Sequence, residues 1–272
     1  MNNAERVKSA VRLVATDLDG TLLRDDRTLS PRTRQTLARV VEAGVTIALV
    51  TARPPRFVAA LASEVGLSGP AICCNGAITY DVTHNVLLEH CPLAAIDAVA
   101  LVQALRIAVP GVSFAVERGL VYGCEPAYLT LGALTQPQDG LLADALALCA
   151  EPVTKLIARH PVHQAEDLFP IAQGLASERA LVTFSSPRFI EISATGVDKA
   201  AALARLCQRL GVATCEVVAF GDMPNDAPML RWAGCGVAVA NAHDKALAAA
   251  DAITASNMDD GVALFLERLL DL

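Results

Sequence analysis

The chain of 272 residues is 53% hydrophobic but only 4% aromatic, and it carries a net charge of −7 at pH 7. That length can bury a large core and accommodate two domains, and the apolar fraction excludes a disordered or fibrous chain. The acidic balance, with no basic stretch, argues against nucleic acid and anionic membrane as partners. Residues Met1 to Ala10 are polar and lack the apolar core of a signal peptide, and no run of about 18 uncharged apolar residues occurs, so a cytoplasmic protein is expected. Eight cysteines (Cys73, Cys74, Cys91, Cys124, Cys149, Cys207, Cys215 and Cys235) form no CxxC pair and mostly sit in apolar runs. They are expected to be buried, reduced thiols rather than a disulfide framework or a zinc site. His84, His90, His160, His163 and His243 show no ligand spacing and are taken as structural or surface residues.

In chain order, Val11–Thr16 is a strand that opens into the acidic loop Asp17-Leu18-Asp19-Gly20-Thr21. Ser30-Pro31 starts a helix, with serine as N-cap and proline at the first helical position, and Gly44 stops it. Val45–Val50 is an apolar strand ending at Thr51-Ala52-Arg53; Pro54-Pro55 opens a second helix that Gly66 stops. Ala71–Cys74 is a third strand, and the Asn75-Gly76 turn returns the chain as an antiparallel strand over Ala77–Tyr80. Strand, helix, strand, helix, strand argues for a parallel sheet with right-handed crossovers. From about Asp81 to Ser193 the rhythm changes. Helices are predicted over Leu93–Ile107, Leu141–Cys149 and Ala165–Gly174. Hairpins are predicted over Val112–Gly123 and Ala180–Ile192, and Val153–Arg159 is a strand. Leu129–Gly140 has no clear period. The parallel pattern then resumes with a helix over Asp198–Leu210, a strand over Glu216–Phe220 ending at Gly221-Asp222, a short helix over Asp226–Trp232, a strand over Cys235–Ala240, a helix over His243–Ala250, a strand over Ala252–Thr254 and a last helix over Gly261–Leu270.

Four features lie just after a strand of the parallel set or at the start of the helix behind it. Such ends gather on one edge of a doubly wound sheet. Asp17 and Asp19 are two carboxylates whose mutual repulsion needs a cation or a shared proton, although Asp19-Gly20 could simply make a turn. The Thr51 hydroxyl, with the first N–H groups of the next helix, can hold a phosphate oxygen or can merely cap that helix. Lys199 at a helix N-terminus opposes the macrodipole, so a reason other than helix stability is sought, against the common case of a solvated lysine. Asp222 and Asp226, placed near Asp17 and Asp19, assemble four carboxylates and demand a divalent cation; the alternative is a capped helix with a second acid in its first turn.

Together these residues resemble the haloacid dehalogenase superfamily, in its Cof-type branch with a large cap (the class IIB arrangement). Asp17-Leu18-Asp19-Gly20-Thr21-Leu22, Thr51-Ala52-Arg53, Lys199 within Gly196-Val197-Asp198-Lys199, and Gly221-Asp222-Met223-Pro224-Asn225-Asp226 match its four motifs. Asn75-Gly76-Ala77 and Asn241-Ala242 are also typical of the branch, and Lys155 within a strand is a weaker likeness in the cap. The resemblance implies an α/β fold, with a Rossmann-like parallel-sheet core over residues 1–80 and 194–272 and an inserted α+β cap over 81–193 that selects the substrate. It further implies Asp17 as nucleophile and Asp19 as the acid/base. Mg²⁺ would be held by Asp17, the Asp19 backbone carbonyl and Asp222. Thr51, Lys199, Asn225 and the loop residues Leu18 and Ala52 would lie at the phosphate, and Asp226 would support Lys199 or a metal-bound water. Thr51 stands where serine is also common, and Ala52 where glycine is frequent. Arg53 could reach substrate, but a solvated arginine is the commoner case.

The reading is a Mg²⁺-dependent phosphatase of small phosphorylated metabolites, sugar phosphates or related monoesters, acting as a monomer or small homo-oligomer. A phosphomutase, in which the aspartyl-phosphate passes to a second hydroxyl, has the same motifs. A receiver-type phospho-acceptor domain also clusters aspartates, a threonine and a lysine, but the Asp19 position and the inserted cap argue against it.

Overall fold

The computed structural model describes residues 11–65, 68–131 and 140–271. The polar stretch Met1–Ala10, the helix stop at Gly66 and most of the unassigned stretch up to Gly140 lie outside these residues. The chain divides into two compact units, Met1–Leu87 with Lys199–Leu272, and Leu88–Asp198.

The first unit opens with β1 (Leu13–Thr16), α1 (Pro31–Glu42), β2 (Thr46–Val50), α2 (Pro55–Val65), β3 (Pro70–Cys73) and β4 (Ile78–Asp81), and β5 (Val86–His90) leads out of it. Ser30 caps α1, its hydroxyl accepting from the Thr33 N–H at 3.0 Å. The second unit holds α3 (Ala95–Ala108), β6 (Ser113–Arg118), β7 (Val121–Cys124), α4 (Pro126–Thr130), β8 (Leu141–Leu142), α5 (Ala145–Leu148), β9 (Lys155–Arg159), α6 (Ala165–Ala176), β10 (Ala180–Ser186) and β11 (Phe189–Ala194). The first unit is completed by α7 (Lys199–Leu210), β12 (Val217–Gly221), α8 (Ala227–Trp232), β13 (Cys235–Ala238), α9 (Asp244–Leu247), β14 (Ala252–Ile253) and α10 (Gly261–Leu270).

The first sheet has eight strands in the order β14-β13-β12-β1-β2-β3-β4-β5. From β14 to β3 every pairing is parallel, with Leu13 of β1 opposite both Val217 and Thr46. β4 returns antiparallel on β3, with Cys73 opposite Ile78. All residues of β1 and β12 are buried, as expected for central parallel strands covered on both faces. Leu13, Ala15, Val217 and Ala219 form one core cluster with Leu203 and Leu206 of α7 and Met229 and Leu230 of α8. The chain leaves β1 toward β2 on one side and returns later to β12 on the other. The carboxyl ends of β1 and β12 therefore flank the point where the strand order reverses, the place where open α/β sheets bind ligands.

The second unit has a six-stranded sheet in the order β10-β11-β9-β6-β7-β8, antiparallel except for β7 with β8. Strand alternation puts Phe114, Val116, Leu156, Ala158, Ile190 and Ile192 on one face and Glu117, Lys155, Arg159 and Glu191 on the other. All ten are buried. Thr195 and Val197 stay with this unit, through bonds to the carbonyls of Glu178 and Ala194. The second unit ends at Asp198.

Three sequence expectations are corrected. Leu141–Cys149 is not one helix: Leu141 and Leu142 pair with Gly123 and Cys124, and the helix begins after Asp144, whose carboxylate accepts from the Leu146 N–H at 2.9 Å. An aspartate that can cap a helix sets its start there. β5 was not anticipated, because Val86, Leu87 and Leu88 are all exposed and show no in–out alternation. All eight cysteines are free, but Cys215 is exposed and Cys91 is only half-buried. Among the described residues no helix is long and apolar enough to cross a membrane.

Candidate active site

Asp17 and Asp222 follow directly on β1 and β12. The Asp17 N–H donates to the Phe220 carbonyl at 3.0 Å, which extends the ladder one step and aims the acidic loop out of the sheet edge. Lys199, the first residue of α7, has a fully buried side chain. Its Nζ lies 2.6 Å from Asp17 Oδ1 and 2.6 Å from Asp226 Oδ1. These two carboxylates are why a cation tolerates the positive end of a helix here. The other Asp226 oxygen accepts from the backbone N–H groups of Asp222 (3.1 Å) and Met223 (2.9 Å), so both of its oxygens are spent.

Asp222 Oδ1 accepts from the Thr21 hydroxyl at 2.8 Å. Gly20 lies between, at φ +79°, and a Cβ there would overlap Asp222 Oδ2. Glycine is therefore required twice over, by conformation and by close approach. Gly20 is tied down through its carbonyl, which accepts from Asn241 Nδ2 at 2.8 Å.

Carboxylate oxygens of Asp17, Asp222 and Asp226 all lie within 4.8 Å of one another. Burial, opposed by the Lys199 ammonium, raises the Asp17 carboxyl well above the usual range. Burial and then Asp226 push Asp222 up to about 7. For Lys199 burial works against the charged form, yet Asp17 and Asp226 outweigh it and its pKa is raised. Three buried carboxylates share one ammonium, so the cluster is short of positive charge. Among the described residues, one oxygen each of Asp17 and Asp222 accepts no hydrogen bond. An all-oxygen donor set with surplus negative charge suits a hard divalent cation such as Mg²⁺.

Asp19 does not join this cluster through its side chain. Its carboxylate is exposed and held by the Arg53 guanidinium in a two-pronged pair, with Nε 2.6 Å from Oδ2 and Nη2 on Oδ1. Arg53 is thus paired rather than merely solvated. The Thr51 hydroxyl accepts from the Arg53 N–H at 3.1 Å and keeps its own proton to donate. Thr51 is buried, and Ala52 beside it is half-buried. Leu18 is fully buried, and its carbonyl accepts from the Leu23 N–H at 2.8 Å. Asn225 is buried, and its Nδ2 donates to Asn75 Oδ1 at 3.0 Å.

The geometry joins Asp17, Lys199, Asp222 and Asp226 directly. Asp19 and Thr51 meet through Arg53, and Asn225 meets Asn75. The sequence marked Asn75 as a turn and as part of a family-like Asn75-Gly76-Ala77, with no role at the site, and set Arg53 aside as more commonly solvated. Both follow strands of the parallel set, the same signal that singled out Asp17 and Thr51.

A family model for haloacid dehalogenase-like hydrolases matches residues 14–266. A pyridoxal phosphate phosphatase of Escherichia coli (strain K12) is 31% identical over 265 residues, covering 94% of this chain and 97% of that protein. A 5-amino-6-(5-phospho-D-ribitylamino)uracil phosphatase of Bacillus subtilis (strain 168) is 29% identical over 268 residues, covering 96% and 98%. The crystal structure of a haloacid dehalogenase-like hydrolase from Bacteroides thetaiotaomicron superposes with a TM-score of 0.75 at 28% identity, covering 95% of this chain and 99% of that one. With four motifs on one sheet edge and a family match over nearly its full length, the chain belongs to the haloacid dehalogenase-like hydrolases, as an enzyme of the phosphatase kind.

Proposed function

We propose that this chain is a Mg²⁺-dependent phosphatase of small phosphorylated metabolites, sugar phosphates and related monoesters, working through an aspartyl-phosphate on Asp17. The observation that carries the reading is the charge-deficient cluster of Asp17, Asp222 and Asp226 around Lys199 at the switch point of the sheet. Phosphatases of this family are metal-dependent. Asp17, Asp222 and the Asp19 backbone carbonyl would hold Mg²⁺, which supplies positive charge to the phosphoryl oxygens.

In the first step an Asp17 oxygen attacks phosphorus while the bond to the leaving oxygen breaks and Asp19 gives that oxygen a proton. In the second, water attacks phosphorus, Asp19 takes its proton, and the Asp17 carboxylate is released with inorganic phosphate. Lys199, Thr51 and Asn225 hold phosphoryl oxygens as charge builds, with the backbone of Leu18 and Ala52 alongside. Lys199 also keeps Asp17 oriented, and Asp226 keeps Lys199 in place. Asp19 can move a proton only when its pair with Arg53 opens; an arriving phosphate is the anion that competes for the guanidinium.

Residues 81–193 serve as the cap that selects the substrate, and residues 1–80 with 194–272 as the catalytic core. The two bacterial relatives are named for small phosphomonoesters, which supports that class of substrate. The test is Asp17→Asn assayed with p-nitrophenyl phosphate and Mg²⁺. Turnover should fall by about 10³-fold or more; wild-type turnover would overturn the reading. A screen of phosphorylated metabolites should release inorganic phosphate without an isomeric product, which a phosphomutase would form.

A further inference from the structure

Asn75 occupies a turn that no ordinary hairpin requires. Cys74, Asn75 and Gly76 have φ values of +52°, +57° and +101°, three consecutive residues in the left-handed region. Only one of them is glycine, and such backbone persists where the surroundings hold it. Here they do. The Cys74 N–H donates to the Arg53 carbonyl at 3.0 Å, and the Asn75 N–H to the Thr51 carbonyl at 3.1 Å. The turn therefore grips the loop after β2 by its backbone. The Asn75 side chain reaches the other way, accepting from Asn225 Nδ2 at 3.0 Å. One residue thus ties the loop after β2 to the loop after β12.

The amide pair is incomplete. Asn75 Nδ2 and Asn225 Oδ1 are buried and have no hydrogen-bond partner. Whichever way the two amides are turned, one donor and one acceptor are left over, because a single contact between two amides spends one of each. Buried groups of this kind are ordinarily satisfied, so the unspent donor, Asn75 Nδ2, beside the Thr51 loop, points to an oxygen ligand that arrives from outside.

We infer that Asn75 is a positioning residue of the phosphate site, holding the Asn225 amide and the Thr51 loop in register for a phosphoryl oxygen. The inference rests on the phosphatase reading for its ligand, and it deepens that reading by one residue. By accepting one Asn225 N–H on its Oδ1, Asn75 leaves the second Asn225 N–H available. By gripping the Thr51 carbonyl, it fixes where the Thr51 hydroxyl sits.

The test compares wild type with Asn75→Gly, Asn75→Asp, Asn225→Ala and Asn75→Gly combined with Asn225→Ala. The readouts are inorganic phosphate binding by calorimetry in the presence of Mg²⁺, KM and kcat with p-nitrophenyl phosphate, and Tm. Glycine accepts the left-handed backbone, so Asn75→Gly should keep its Tm within a few degrees while phosphate Kd rises about 10-fold and KM rises with it. The double variant should bind phosphate within about 2-fold of Asn225→Ala alone, because both changes remove one coupled element. Asn75→Asp keeps the shape but places a carboxylate by the anion, and should bind phosphate more weakly than Asn75→Gly; it carries the test if the glycine variant is poorly folded. Wild-type phosphate affinity in Asn75→Gly, or fully additive effects in the double variant, would overturn the inference. Calorimetry separates the two readings. A wild type that binds phosphate but hydrolyses no monoester sinks the phosphatase reading alone, whereas an active wild type with unaffected Asn75 variants sinks this one alone.

Discussion

Each unit buries a lysine against acidic side chains, and the two lysines differ in what surrounds them. In the second unit Lys155 Nζ lies 2.5 Å from Glu191 Oε1, and the Ser185 hydroxyl donates to the other Glu191 oxygen at 2.6 Å. Glu117 stands opposite Lys155 in the sheet register, and the ion pair is one cation on one anion, Lys155 with Glu191. In the first unit Lys199 bonds Asp17 and Asp226, and a third carboxylate, Asp222, lies within 4.8 Å of theirs. A balanced buried pair is complete in itself, although it gives little net stability because desolvation offsets the attraction. An unbalanced one stays short of positive charge until a cation supplies the rest. Burial alone does not mark a site; the sign of the unpaid charge does.

The comparison breaks first at Lys199→Met. Removing the Lys199 ammonium from an already anionic cluster should lower kcat/KM about 10³-fold, measured as phosphate release with Mg²⁺. A loss below about 10-fold would mean that Lys199 is as structural as Lys155.

Lys155→Met should act on stability. It strands Glu191 in the sheet and should cost about 3–5 kcal/mol in urea unfolding. Adding Glu191→Met should recover most of that loss, since a buried pair replaced by apolar side chains is close to neutral. If the double variant stays as unstable as the single, the pair is not the balanced element described above.

Metal binding should sharpen the contrast through Asp222. Its carboxyl sits at about 7, above the ordinary value of 3.8. Without metal, the folded state therefore holds this proton more tightly than the unfolded chain. Its contribution to stability is present below about pH 4 and is lost as pH rises through 7. Mg²⁺ held by Asp222, as proposed, would displace the same proton, so its affinity should fall about 30-fold from pH 8 to pH 5.5 and level off above 7. Calorimetric titration at several pH values checks this; a flat profile would show that Asp222 is not a ligand.

The smallest effect is expected at Gly20→Ala. A left-handed φ and the close approach of Asp222 should together cost about 1–3 kcal/mol and weaken Mg²⁺ binding. Gly119→Ala in the second unit is the control: it also has a positive φ, of +59°, but nothing lies within 4 Å of its Cβ position.

Much of the fold was legible because its signals are local. Ser30-Pro31 starts α1 and Gly44 follows its end at φ +79°. Asp17 and Asp222 could be picked out because each follows an apolar run that can only be a buried strand. The acidic loop, the lysine and the Asp222 loop could be placed on one edge because parallel strands all end on the same side. Other features had no local signal. Leu141 and Leu142 pair with residues 18 positions earlier in the chain. β5 has no alternation, and Arg53 gives no hint in sequence that its guanidinium grips Asp19.

By itself the sequence determined the order of strands and helices, the doubly wound core, and the set of side chains at the strand ends that point to phosphoryl transfer. It could do so because hydrophobic periodicity, caps and turn residues act over a few positions, and strand ends are defined by where the apolar runs stop. Only the tertiary structure decided how those side chains divide the work. Asp226 is saturated by Lys199 and two N–H groups, while Asp17 and Asp222 each keep an oxygen. Asp19 rests on Arg53 rather than on the cluster, and Asn75 reaches Asn225, 150 residues away in the chain. Those choices depend on distances of a few ångströms between distant residues, and on burial that turns a small imbalance of charge into a demand for a cation.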